Sequence, residues 1–194
     1  MEQSTAPQPH YHIPALLPQA LEGLDIKPSG VYVDCTLGGG GHTRAILRLL
    51  DAHAGGRLLS FDQDCEAIVR AEADPELSGN PAFTAVHGNF RYLRNFLRYY
   101  GAETVDGILA DLGVSFHHFD DPARGFSFRW DGPLDMRMNP QAERSAATLL
   151  AEASPERLAE IFRLYGELPQ SRQLARAIER KRAESPITTV EEFL

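Results

Sequence analysis

Val31-Tyr-Val-Asp-Cys-Thr-Leu-Gly-Gly-Gly-Gly-His42 joins a short β-rich run to an acidic residue, four glycines and a histidine that opens a helical pattern. Glycine has no Cβ, so such a loop lets a ligand press directly against backbone. The helix behind it turns free N–H groups and the positive end of its dipole toward the same place. Open α/β sheets build nucleotide-type sites in this way. The stretch therefore predicts a parallel, Rossmann-like sheet with a ligand at the carboxyl end of its first strand.

Working outward, strand and helix signals alternate, as βαβ units require. Leu16, Leu17, Ala20, Leu21 and Leu24 form a helical stripe over 14–24. Strands are predicted over 30–36, 57–62, 82–87 and 105–112, with helices over 43–50, 64–73 and 91–100 between them. The run Gly107-Ile-Leu-Ala-Asp-Leu112 is nearly all apolar, as expected of a strand buried on both faces. Alternation stops near Ser115, and a long loop carrying Gly125, Gly132 and Pro133 reaches to residue 140. Helical patterns return over 145–153, from the Ser154-Pro155 start to Gly166, and over 170–182. The predicted organisation is a lead-in expected to be disordered (1–9), a Rossmann-like part (10–115), and a loop plus helical region (116–194).

The chain has 194 residues, enough for one domain with a small appendage. It has no apolar run near the ~18 residues of a membrane span, so no membrane partner is expected. Its N-terminus lacks the apolar region of a signal peptide. Cys35 and Cys65 have no second cysteine at metal spacing, which points to a reduced, intracellular protein. The net charge of −8 is uneven. Residues 1–121 hold 8 basic and 16 acidic side chains, whereas residues 122–194 hold 11 of each. In the second part, Arg172, Arg176 and Arg180 lie four apart on one helical face. A local cationic face is all that phosphate contacts need, although a solvated helix face reads the same way.

Asp34 and Asp62 close the first two strands, where ligands bind in this topology. A carboxylate at Asp62 could accept from both hydroxyls of a ribose; it could also cap the next helix. Phe90 follows the third strand and could cover an adenine ring or fill the core. Asp111 follows the fourth strand, beside the first across the switch point. There it could accept from an exocyclic amine or merely cap a loop. His42 could touch a ligand or cap its helix. The glycines miss the dinucleotide fingerprint, since Thr43 or Arg44 falls where the third glycine belongs. No Walker lysine is present. The set His117, His118, Asp120 and Asp121 fits no standard metal spacing.

Together the motifs resemble one family. His12-x-Pro-x-Leu-Leu17, Asp34-x-Thr-x-Gly-x-Gly-Gly-His42, Phe61-Asp-Gln-Asp64, Asp106-Gly-Ile-Leu-Ala-Asp-Leu-Gly-Val-Ser115, Arg124-Gly-Phe-Ser-Phe128 and Asp131-Gly-Pro-Leu-Asp-Met-Arg-Met138 are similar to the RsmH (MraW) family of bacterial 16S ribosomal RNA (cytosine-N4)-methyltransferases. The resemblance implies a Rossmann-like methyltransferase sheet with a helical insertion. It implies S-adenosylmethionine as methyl donor and a cytidine of 16S rRNA, in the decoding centre of the small ribosomal subunit, as acceptor, in the cytoplasm. It places Gly40, Gly41 and His42 on the methionine part of the cofactor, Asp62 on the ribose and Phe90 by the adenine. Asp111 falls near the methyl group and the amine, as the catalytic carboxylate. His118 stands where the family usually has a glutamine contacting the cofactor. Arg172, Arg176 and Arg180 would hold RNA backbone. In the family, more chain follows the helical region and adds the last three strands. The sequence here is thus expected to be an N-terminal piece whose sheet has only strands one to four and an unpaired edge beside the fourth. Two competing readings are a non-catalytic S-adenosylmethionine-binding fragment and an NAD-dependent oxidoreductase.

Overall fold

A computed structural model describes residues 14–194. The lead-in expected over 1–9, and His12 of the first motif, lie outside the described residues. The chain divides into two compact units, one up to Gly113 and one from Val114 on.

The first unit is built on four parallel strands: β1 (Val31–Asp34), β2 (Arg57–Asp62), β3 (Phe83–His87) and β4 (Gly107–Leu109). Their order is β3-β2-β1-β4. Both steps from β1 to β3 run the same way across the sheet. The crossovers α2 (Gly41–Leu47) and α3 (Cys65–Ala73) therefore fall on one face, because such connections are right-handed. They are joined there by α1 (Leu17–Leu24) and the single-turn α4 (Pro75–Ser78). The return from β3 to β4 reverses direction and puts α5 (Leu93–Tyr99) on the other face. Side chains follow the strand period of two. Tyr32 and Leu58 pack with Ile46, Ile68 and Leu77, whereas Val33, Leu59, Phe61 and Val86 pack with Leu97. The edge of the Phe61 ring meets Phe96 at 5.4 Å. The reversal between β1 and β4 is the topological switch point, where ligands bind in open sheets.

β4 is shorter than the strand expected over 105–112 and, as expected of the fourth strand, pairs on one side only among the described residues, with Ile108 51% exposed.

The second unit holds α6 (Phe116–Asp120), α7 (Ala146–Glu152), α8 (Pro155–Leu164), α9 (Ser171–Glu184) and α10 (Val190–Phe193). Leu150, Leu158, Ala175 and Ile178 make its core with Leu134, Ile187 and Val190. Ser145, Ser154 and Thr189 accept from backbone N–H groups at the starts of α7, α8 and α10. The 131–138 string is held against the last segment of the chain. Leu134 N–H donates to Thr188 O at 2.8 Å, Val190 N–H to Gly132 O at 3.0 Å and Glu191 N–H to Asp131 Oδ1 at 3.0 Å. Arg137 donates to both carboxylate oxygens of Asp135, which holds that carboxyl below the usual aspartate range.

Candidate functional site

The glycine loop is held from three sides. Leu37 N–H donates to Phe61 O at 2.8 Å, and Gly38 N–H donates to Asp62 Oδ2 at 2.8 Å. Arg44, buried in α2 and paired with Asp74, donates to Gly39 O at 2.8 Å. Gly38 and Gly40 have φ values of 48° and 77°, in the left-handed region that glycine adopts without strain. A Cβ on Gly41 would strike the Pro14 ring, so that residue is small for packing. Gly39 differs: a Cβ there would meet nothing within 4 Å. Among the described residues, the open side of the loop lies at Gly38 and Gly39, where nothing packs closely against the bare backbone.

Asp34 is fully buried at the end of β1. Its Oδ1 accepts from Thr36 N–H (2.9 Å) and the Thr36 hydroxyl (3.2 Å), and its Oδ2 from the Thr43 hydroxyl (2.8 Å). Thr43 in turn meets Ser60 of β2 at 2.8 Å. Burial raises the Asp34 carboxyl above the usual range, and the threonine hydrogen bonds oppose that shift. The network reaches β4 as well, because Asp111 N–H donates to the Thr36 hydroxyl at 2.9 Å. One hydroxyl thus ties the end of β1 to the residue that follows β4. Thr36, Thr43 and Arg44 were not among the site residues expected from sequence. Hydroxyls directly after a strand-ending aspartate were the available signal.

Asp111 has a side chain that is 53% exposed, and its Oδ2 lies 3.9 Å from His42 Nδ1. That distance is too long for a hydrogen bond. His42 is buried within α2 and does not cap it; its Nε2 has no hydrogen-bond partner among the described residues. Asp62 is not a helix cap either. Asp64 caps α3, while Asp62 Oδ1 accepts from Asp64 N–H at 2.9 Å. Each Asp62 oxygen keeps a lone pair for a further donor. Phe90 opens a turn after β3 and packs half-buried against the core. Asn89 ties that turn to the loop after β2 by donating to Gln63 Oε1 at 2.7 Å.

The first unit therefore brings Gly40, Gly41, His42, Asp62, Phe90 and Asp111 to the carboxyl ends of its four strands. Residues 9–194 match the MraW methylase family. The chain belongs to the MraW methylase family. It is 54% identical over 184 residues to ribosomal RNA small subunit methyltransferase H of Phocaeicola vulgatus, covering 95% of this chain and 58% of that protein. The protein of the same name from Bacteroides thetaiotaomicron is 55% identical with the same coverage. That from Cytophaga hutchinsonii is 45% identical, covering 95% of this chain and 59% of its own length. The chain thus spans less than two thirds of the length of these curated relatives. The four-strand sheet is the Rossmann-like sheet expected of an MraW methylase.

The remaining residues singled out in the sequence lie in the second unit. His118 is in α6, where its Nδ1 accepts from Ser115 N–H at 3.3 Å, closing a capping box, and also meets Ser115 Oγ at 3.0 Å. Its ring lies 5.4 Å from that of Phe126. Arg172, Arg176 and Arg180 are exposed on α9. Arg172 and Arg176, with Glu156, Glu160 and Arg163 of α8, line a groove of about 450 Å³ between the two helices, so its lining is mixed in charge. Arg182 is committed to structure: its Nη1 donates to Leu150 O (2.6 Å) and Ala153 O (2.7 Å) at the end of α7. Among the described residues, no helix is long and apolar enough to cross a membrane.

Proposed function

We propose that this chain carries the cofactor and acceptor site of an S-adenosylmethionine-dependent methyltransferase of the bacterial cytoplasm. Its acceptor is the N4 amine of a cytidine in 16S rRNA of the small ribosomal subunit. The observation that carries this reading is the convergence of Asp62, the open backbone of Gly38 and Gly39, and Asp111 at one switch point. The relatives' names supply the RNA class. The residues fit the cofactor: among the described residues the bare glycine backbone leaves room for it, and His42 Nε2 is a buried polar atom lacking a partner.

In this reading Gly40, Gly41 and His42 hold the amino-acid end, Asp62 the ribose and Phe90 one side of the adenine. The resemblance adds His118 to that set. S-adenosylmethionine supplies an electrophilic methyl group. The cytosine amine is a weak nucleophile because its lone pair is spread into the ring. Asp111 accepts a hydrogen bond from that amine, localises the lone pair and receives the departing proton, directly or through water. In-line positioning supplies much of the remaining acceleration. The target base must leave any stack to enter.

Transfer of labelled methyl from S-adenosylmethionine to 30S particles tests the reading. Label is expected in N4-methylcytidine after nucleoside digestion. Cofactor binding with no label in RNA would overturn it.

Two expected outcomes follow from particular contacts. Thr36→Val keeps the shape of the side chain but removes the hydroxyl that holds Asp111 N–H. Turnover should fall about five- to tenfold, the worth of one hydrogen bond, with cofactor affinity unchanged. Thr36→Ser should restore it. Separately, if Arg172 and Arg176 grip phosphates, replacing both by alanine should reduce the salt slope of log K for RNA by roughly 1.5. Filter binding across a salt series measures this.

A further inference from the structure

The segment from Gly125 to Gly132 is a short loop whose two ends are fixed. Arg124 is buried and donates to Arg137 O (2.9 Å) and Met138 O (3.2 Å). Gly125 has φ 67°, and a Cβ there would strike Pro133 O; a Cβ on Gly132 would strike Pro122 O. Both ends are thus glycines that only close backbone packing explains. Between them the loop presents Phe128, 80% exposed, Arg129, also exposed, and Trp130, 47% exposed. Ser127 Oγ accepts from Arg129 N–H at 3.2 Å and steadies the tip. Asp131, the acidic neighbour, is engaged with Glu191 N–H.

Two large rings held out in water cost hydrophobic free energy, and the pinned ends keep the loop from folding them in. The tip is aromatic and cationic rather than aliphatic, which suits flat, electron-rich, anion-linked partners. Every nucleobase offers a face for stacking, and a guanidinium between rings can stack or meet the adjoining phosphate. The exposed Arg172, Arg176 and Arg180 of α9, in the same unit, add backbone phosphate contacts. We propose that Phe128, Arg129 and Trp130 form a stacking platform for unpaired nucleotides of the RNA substrate. The proposal deepens the methyltransferase reading and rests on it. The platform holds single-stranded RNA by base faces, whereas the α9 arginines hold backbone; sequence preference at this contact is therefore slight.

Trp130 is the sole tryptophan of the chain, so its emission reports on this loop alone. Titrating the chain with a single-stranded RNA oligonucleotide should quench that emission saturably, by roughly half, through stacking. The same sequence as a duplex should quench little, because its bases are already stacked. Phe128→Ala, at an exposed position, should leave the melting temperature unchanged and weaken single-strand binding about tenfold. Equal quenching by duplex and single strand would overturn the platform in favour of a purely ionic contact. Wild-type RNA affinity in Phe128→Ala would also overturn it. A chain that labels 30S particles while Trp130 stays silent keeps the methyltransferase reading and loses the platform. A chain that neither binds RNA nor labels it loses both.

Discussion

Asp111→Asn should lower methyl transfer to 30S particles by about 10²- to 10⁴-fold, the range that a positioned proton acceptor contributes. The substitution is nearly isosteric. The link to Thr36 uses the main-chain N–H of residue 111, so the amide variant keeps it. What is lost, in the proposed mechanism, is the anion that faces the amine. Asparagine can still accept one hydrogen bond but cannot take the proton away. Cofactor affinity should therefore change by less than about threefold while single-turnover transfer collapses. Measuring both on one preparation separates chemistry from binding. Wild-type turnover in the variant would remove Asp111 from the reaction.

Asp62→Ala should raise the Kd for S-adenosylmethionine by about 100-fold. Two ribose hydroxyls donating to one carboxylate contribute about 3 kcal/mol together, and each 1.4 kcal/mol is tenfold. The loss has a second source. Asp62 Oδ2 holds Gly38 N–H, so alanine also frees the side of the loop that faces open space. Asp62→Asn keeps an oxygen for one of these donors and should fall between. Calorimetry with S-adenosylmethionine reads the series, and a melting curve shows whether the sheet stays intact. Unchanged affinity in Asp62→Ala would place the ribose elsewhere.

Much of this was legible before any coordinates. Short apolar strands ending in Asp34 and Asp62, with helical patterns between, define a parallel sheet because local pattern and topology agree there. The family motifs pointed to the same fold. Other features depend on neighbours that no local pattern reports. The α6 turn was hidden inside a stretch read as loop, because its cap pairs Ser115 with a histidine rather than with the usual glutamate. Thr36 joins residues 75 positions apart, a relation that exists only once the strands lie side by side. Arg182 closes the end of another helix, a role its place in the chain does not reveal. The close packing of Gly125 and Gly132, on either side of Phe128 and Trp130, likewise exists only in the fold.

The Thr36 hydroxyl is shared between two strands' ends: it donates to Asp34 Oδ1 at 3.2 Å and accepts from Asp111 N–H at 2.9 Å. A hydroxyl can do both at once. Sliding β4 along β1 by one residue would break this pair of bonds, so a single side chain acts as a register pin between the loop after β1 and the residue after β4.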